Sequence, residues 1–196
     1  NGPYLDANTT TTTITPQQTA AATGKTLTLS AVTGVNGGVG WLATDVGRIV
    51  KFNGGTAIIT SRTNATVAVA TILTAFTNTD ATAAFQLGSF SDTTGHPSSV
   101  SFFEQRLVFA ATNDQPQTIF FSKSGDYENM TAGTNDDDAM VYTIASNQVN
   151  AIKSLKATRT LICMTTGGEY SVSAGNSSAI TPTNISIIKQ SNYGSA

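Results

Sequence analysis

Residues 98–124 constrain the fold of this chain more than any other stretch. They contain three short apolar runs separated by two polar turns, and the runs are 100–103, 106–112 and 118–122. Runs of four to seven residues that are rich in Val, Phe and Ile and bounded by Asn, Asp and Pro are typical of β-strands. Because apolar residues occupy nearly every position rather than every second one, we expect strands that are covered on both faces.

A fourth run completes this set of strands, and the same order of elements then recurs. We expect strands at 98–103, 106–112, 117–123 and 139–145, and then at 149–157, 160–166, 168–174 and 184–190. A period near 50 residues with four strands per repeat is typical of the blades of a β-propeller. A β-sandwich whose strands recur at similar spacing is the alternative.

The best-matched strands of the two repeats are 106–112 and 160–166. Their alignment places Leu107 on Leu161 and Phe109 on Cys163. We therefore expect these four side chains to be buried in matched places of consecutive blades.

The composition favours the all-β class. Charged residues make up only 11% of the 196 residues, against about 25% in a typical soluble domain, so solubility must come from Thr, Ser, Asn and Gln. Threonine favours strands because its branched side chain is stiff at χ1 and fits a pleated surface. No segment shows the apolar period of 3.6 that an amphipathic helix requires.

Four regions are expected along the chain. Residues 1–24 form an extended lead-in whose Thr run favours a spacer over an edge strand, and 25–88 form a small β-barrel or sandwich domain. Residues 89–97 are a linker, and 98–196 form about two blades of an incomplete propeller. Two blades cannot close a ring, since propellers need about four to eight. We therefore expect the chain to be a piece of a longer polypeptide.

The small β-domain contains the clearest hairpin signal. Asn53-Gly54 lies between the apolar runs 47–52 and 56–61, and this dipeptide supplies the positive φ angles of a tight hairpin turn. Further strands are expected at 26–32, 65–73 and 85–87. The glycine-rich stretch 34–40 lacks the following helix and Lys-Ser or Lys-Thr pair of a phosphate-binding loop.

Residues that commonly carry chemistry are scarce, and we expect no catalytic, cofactor-binding or metal-binding residues. The single histidine, His96, lies in a turn and has no nucleophile motif to accompany it. The single cysteine, Cys163, excludes an internal disulfide and is expected to be a small buried hydrophobe. The consecutive acids 136–138 lack the alternating spacing of a calcium loop, so we expect a solvated loop.

Three arginines, Arg48, Arg106 and Arg159, begin or precede expected strands. We expect them to form ion pairs with nearby acids, and Glu104 is the nearest acid to Arg106. A net charge of −2 argues against a nucleic-acid reader with a basic face, but it permits a surface past which DNA slides. No apolar run approaches the roughly 18 residues of a membrane span, so no membrane anchoring is expected.

Several stretches of the chain resemble tail proteins of short-tailed bacteriophages. The most specific is HPSSVSFFEQRLVFAATNDQPQTIFFSKSGDYENM at 96–130, and the resemblance extends to GPYLDANTTTTT, DVGRIVKFNGG, DDDAMVYTIASNQVNAIKSL and TPTNISIIKQSNYGSA. The family that these stretches resemble is the tail nozzle, also called tail tubular protein B.

The resemblance implies a structural, non-enzymatic virion protein without cofactors, assembled in the host cytoplasm. It implies a β-propeller-bearing subunit in a ring of copies, a hexamer by expectation, that contacts the adaptor and the tail fibres. The genome would leave through this ring without specific binding.

Two other interpretations remain open. A packaged-DNA stabilising tail hub is closely related to the nozzle and is not separated from it by the sequence. A carbohydrate-binding or adhesive β-module is the competing class, although flat sugar sites need exposed aromatic residues and aromatics are only 8% of this chain.

Overall fold

The computed structural model describes residues 1–145, 149–175 and 179–195. It is all-β, as predicted: its fourteen described strands form three antiparallel sheets, and the only helical turns among the described residues are two short 3₁₀ turns at Asn36–Gly38 and Ala43–Asp45. The chain divides into two compact units. One is Tyr4–Thr93, and the other comprises Asn1–Pro3 and the chain from Thr94 onward. The boundary lies within the stretch 89–97.

The first unit is one six-stranded sheet. Its strands are β1 (Ile14–Pro16), β2 (Ala22–Leu29), β3 (Ile49–Phe52), β4 (Gly55–Arg62), β5 (Val67–Thr74) and β6 (Gln86–Leu87). They lie in the order β1-β2-β5-β4-β3-β6. The sheet curls into a half-barrel, and antiparallel bridges from Ile14 to Thr82 and from Tyr4 to Gly88 connect its two margins.

This sheet differs from the sequence-based expectation in one strand. The sequence predicts five strands here, and the structure adds β1, which comes from the lead-in at 1–24 and pairs with β2 through Ile14 and Leu29. β1 begins directly after the Thr run at 9–13, which is not itself part of a strand. The predicted hairpin is confirmed: Phe52 pairs with Gly55, and Asn53 and Gly54 have φ angles of 44° and 70°.

The core of the first unit is formed by the buried positions of strands that largely alternate buried and less buried residues. Trp41 and Phe85 are its largest fully buried apolar side chains. Other members of the core include Ile14, Leu27, Val50, Ile59, Ala70 and Phe76. Burial of each large apolar side chain contributes roughly 1.5–3 kcal/mol to stability.

The second unit contains two four-stranded meanders. The first sheet consists of β7 (Ser99–Phe103), β8 (Arg106–Ala110), β9 (Thr118–Phe121) and β10 (Met140–Thr143). The second sheet consists of β11 (Ile152–Ala157), β12 (Leu161–Thr165), β13 (Gly168–Ser173) and β14 (Ser186–Ser191). In both sheets neighbours in sequence are neighbours in space and run antiparallel. The prediction of two four-stranded antiparallel sheets is confirmed.

The two sheets share a single core. Val108 and Phe121 of the first sheet belong to the same buried cluster as Leu161, Cys163 and Val172 of the second. The strands β7 and β11 are also joined directly, because the Leu155 main-chain N–H donates to Ser99 Oγ over 3.0 Å. The inner faces of the two sheets therefore contribute to one core.

The prediction of matched buried positions is wrong for the first sheet. Leu161 and Cys163 are fully buried, but Leu107 and Phe109 are half-buried, and the buried residues of β8 are Arg106, Val108 and Ala110. Because side chains alternate between the faces of a strand, Leu107 and Phe109 lie on the face away from the shared core. Apolar residues occupy both faces of β8, so the sequence did not reveal which face the second sheet would cover.

Candidate functional site

Arg106 is the most unusual polar residue of the second unit. It starts β8, directly after the turn Glu104-Gln105, and only 2% of it is exposed. Its guanidinium donates to the main-chain oxygens of Ser122, Asp136 and Asp138 at 2.8, 2.7 and 2.7 Å. A buried cation needs such partners because leaving it without them would cost several kcal/mol.

These bonds hold the loop between β9 and β10 against the end of the first sheet. The carbonyl oxygens of three consecutive residues, 136–138, converge on one guanidinium. The expected ion pair with Glu104 is wrong: Glu104 Oε2 accepts from the main-chain N–H of Ile180 at 2.7 Å. Arg106 therefore acts as a structural anchor for the acidic loop.

The side chains of the acidic loop point in different directions. Asp138 accepts from the Asn135 main-chain N–H at 3.0 Å, and this hydrogen bond is the largest cause holding the pKa of its carboxyl below the usual range. Lys123 lies 2.9 Å from Asp137 and 3.5 Å from Asp138, and the hydrogen bond to Asp137 raises the pKa of its ammonium. The Asp136 and Asp137 side chains are exposed, as expected of a solvated loop.

An open cavity of about 370 Å³ lies beside this loop. Its walls include Glu104, Asp136 and Asp137, with Arg106 and Ile180 also in the lining. Hydrogen bonds and the Lys123 ion pair already engage Glu104 and Asp137. Among residues 1–145, 149–175 and 179–195, no three His, Cys, Asp or Glu side chains are grouped as ligands of a metal ion would be.

The single histidine and the single cysteine of the second unit differ in burial. His96 is exposed in the segment before β7, whereas Cys163 is fully buried in the middle of β12. Burial raises the pKa of the Cys163 thiol to about 12. A thiol in this state is neither a nucleophile nor a metal ligand near neutral pH.

In the first unit, Arg48 forms the buried ion pair that the sequence predicts. Its Nη1 donates to Asp45 Oδ1 at 2.9 Å and to Asn36 Oδ1 at 2.8 Å, and both charged side chains are fully buried. Asp45 Oδ2 accepts from Asn36 Nδ2 and from the Leu42 main-chain N–H. This network fixes the two 3₁₀ turns, so its role is structural. Arg159, the third arginine for which we expected an ion pair, is exposed.

An exposed apolar surface lies on the first sheet, and sequence reasoning missed it. Val100 and Phe102 of β7 are 58% and 61% exposed. The Tyr127 ring lies 5.3 Å from the Phe102 ring, edge to face at 75°. We refer to Val100, Phe102 and Tyr127 as the aromatic patch. The continuous apolar pattern of β7 was the only sequence signal for it.

The structure contains no helix, within the part of the chain it describes, with the length and apolar character that crossing a bilayer requires. Comparison of the sequence with protein-family models gives no match. Comparison with curated proteins gives no significant match either.

Proposed function

We propose that this chain is a structural subunit of the tail nozzle of a short-tailed bacteriophage. Copies would form a ring beneath the adaptor, in contact with the tail fibres, and the genome would leave through the lumen. We propose further that the chain catalyses no reaction and needs no cofactor.

The observation that carries this proposal is the pair of four-stranded meanders with a shared core. We interpret them as consecutive blades of a β-propeller, in which each sheet packs face to face on the next. A propeller-bearing subunit is what the resemblance of 96–130 to nozzle proteins implies. A β-sandwich remains the structural alternative, since it also packs two antiparallel sheets face to face.

The charge distribution supports a conduit rather than a DNA-binding surface. The chain carries ten Lys and Arg residues against twelve Asp and Glu residues. Two of these cations, Arg48 and Arg106, are buried in structural networks. Since phosphate binding is driven by Lys and Arg releasing counterions from the nucleic acid, such a wall would let DNA pass without holding it.

A structural role also agrees with the state of the two scarce chemical residues. Cys163 is buried with a raised pKa, and His96 lies outside the cavity beside the acidic loop. The buried charges serve packing: Arg106 binds main-chain oxygens, and Arg48 binds Asp45 and Asn36.

One observation favours the carbohydrate-binding alternative. Phe102 and Tyr127 are exposed aromatic residues in contact with each other. Sugar rings stack on aromatic faces, but flat platforms need rings that lie nearly in one plane. The 75° angle between these two rings makes them a poor platform, so we rank this function second.

Localisation in the virion tests the proposal. A phage that carries this sequence with a short epitope should show antibody density beneath the adaptor ring in electron micrographs of its tails. Absence from purified tails would contradict the nozzle and hub proposals together. A glycan array on which the purified chain binds, with loss of binding in Phe102→Ala, would instead favour the carbohydrate-binding module.

The DNA-stabilising hub requires a separate measurement. Particles that lack a hub should package the genome and then lose it, whereas particles that lack a nozzle should fail in ejection or tail assembly. Retention of DNA in deletion particles therefore separates the two tail functions.

A further inference from the structure

The two sheets of the second unit each have an outer face, which points away from their shared core. On the first sheet the register places Val100 opposite Phe109, and Phe102 opposite Leu107, on one face. On the second sheet it places Lys156, Ile162, Ser171 and Ile188 in one row across four strands. Residues directly opposite each other in a ladder share a face, so these two sets lie on the outer faces. On the first sheet the exposed part of this face is at β7, because Phe120, opposite Phe109, is fully buried.

Both outer faces expose apolar side chains. On the first sheet the exposed members are Val100 and Phe102, and Tyr127 extends them into the aromatic patch. On the second sheet Ile188 is 53% exposed, and Ile162 and Met164 beside it are half-buried. Exposed apolar side chains that lie together, as in the aromatic patch, mark interaction surfaces on a folded domain.

The charges around the two outer faces have opposite signs. Asp126 and Glu128 flank Tyr127 in sequence at the aromatic patch, and both are exposed. Lys156 lies in the Ile188 row, and Lys153 and Arg159 are exposed on β11 and just beyond it. None of these five side chains forms an ion pair with any residue in the described ranges. Glu169, the one acid on the second outer face, accepts a hydrogen bond from Ser191.

We propose that the outer face of the first sheet binds the outer face of the second sheet in another copy of this chain. The contact is heterologous, because its two sides are different surfaces of the subunit. A self-matched contact between two aromatic patches would place Asp126 and Glu128 of both copies together, and like charges that face each other across an interface cost free energy. Heterologous contacts generate rings when the rotation closes, so this proposal identifies the surfaces on which the proposed ring of copies rests.

A complementation experiment distinguishes the heterologous contact from other modes of association. Phe102→Ser alters the first outer face, Ile188→Ser alters the second, and both residues are exposed, so both variants should keep the fold. Light scattering on the purified chain should show concentration-dependent association of the wild type up to about 0.1 mM, a range that detects weak interfaces. Each variant alone should associate at least about tenfold more weakly.

The mixture of the two variants gives the decisive result. A Phe102→Ser copy keeps its second outer face and an Ile188→Ser copy keeps its first, so the mixture should form dimers with one intact interface and nothing larger. Leu73→Ser, at an exposed apolar residue of the first unit, is the matched control and should associate like the wild type. A mixture that stays monomeric, or a wild type that stays monomeric, would overturn the proposal.

Salt and charge reversal test the electrostatic part. Association of the wild type should weaken as salt rises from about 0.05 to 0.5 M, because the Debye length falls to a few ångströms. Lys156→Glu and Asp126→Lys should each weaken it, and mixing these two variants should restore it, since the unaltered first outer face of the Lys156→Glu copy then meets the unaltered second outer face of the Asp126→Lys copy. Association that is unchanged by both variants would contradict the charge match.

These results are independent of the tail localisation. If the chain is found beneath the adaptor but Phe102→Ser and Ile188→Ser associate like the wild type, the nozzle proposal stands and these surfaces are wrong. If the complementation succeeds but the chain is absent from tails, the contact stands and the nozzle proposal fails.

Discussion

Arg106 Nη1 lies 2.7 Å from the main-chain oxygen of Asp138, 32 residues further along the chain. With the bonds to Asp136 and Ser122, this contact fixes the acidic loop on the first sheet. Substitution of Arg106 by Ala should therefore lower the free energy of unfolding by about 2–4 kcal/mol, because buried carbonyl oxygens lose their donors. Urea unfolding measures this, and Arg159→Ala, at an exposed arginine, should change it by less than about 0.5 kcal/mol. Equal effects of the two substitutions would show that Arg106 is not an anchor.

Leu107 and Leu161 occupy aligned positions in the two sheets but differ in burial. Leu161 is fully buried in the shared core and Leu107 is half-buried on the outer face. Leu161→Ala should cost about 2–5 kcal/mol of unfolding free energy, because it removes methyl groups from a packed core and leaves a cavity. Leu107→Ala should cost clearly less. Urea unfolding of both variants checks the order, and a larger loss for Leu107→Ala would place the core on the other face of β8.

The turn between β7 and β8 uses two residues with positive φ, Glu104 at 47° and Gln105 at 58°. Tight hairpin turns of this type favour glycine at the second position, because glycine has no Cβ to clash. Gln105→Gly should stabilise the protein by about 0.5–1 kcal/mol, which is the strain removed less the added freedom of the unfolded chain. The reverse change at the other hairpin, Gly54→Ala, should destabilise it. Thermal unfolding of both variants measures the two signs, and a lower melting temperature for Gln105→Gly would contradict this account of the turn.

The stability contribution of Asp138 should depend on pH. Its pKa is lower in the folded chain than the usual value of 3.8, so the unfolded chain binds more protons between the two pKa values and stability rises with pH there. The contribution is present above about pH 4 and is lost as the pH falls through the folded pKa. The difference in unfolding free energy between the wild type and Asp138→Asn, measured by urea unfolding at several pH values, should shrink toward acid. A difference that is constant from neutral pH to about pH 3 would show that the carboxylate charge does not matter.

Strand positions were predictable because polar turns separate the apolar runs. All eight strands expected between residues 98 and 190 are present, and the Asn53-Gly54 hairpin formed as its turn chemistry requires. The faces of the strands were not predictable in the first sheet. In β8 both Val108 and Leu107 are apolar, so the alternation that normally separates core from surface is missing.

The partners of the two buried arginines followed different rules. Arg48 pairs with Asp45, three residues away, and a short separation of opposite charges is visible in a sequence. Arg106 binds main-chain oxygens about 30 residues away, and a carbonyl oxygen carries no side-chain identity. For the same reason the edge strand β1 was hard to recognise, since the three residues Ile14–Pro16 pair with β2 through the main chain.

The connectivity of the three sheets has a consequence for the order in which the chain folds. Every pairing within the two meanders joins neighbouring strands, so each meander closes only short loops, and such local topologies fold quickly. The six-stranded sheet pairs β2 with β5 and links Tyr4 to Gly88. Its margins therefore meet only when residues far apart in the sequence come together, and closing such long loops slows folding. The downstream meanders should therefore acquire protection from hydrogen exchange earlier in refolding than the strand margins at Ile14 and Thr82.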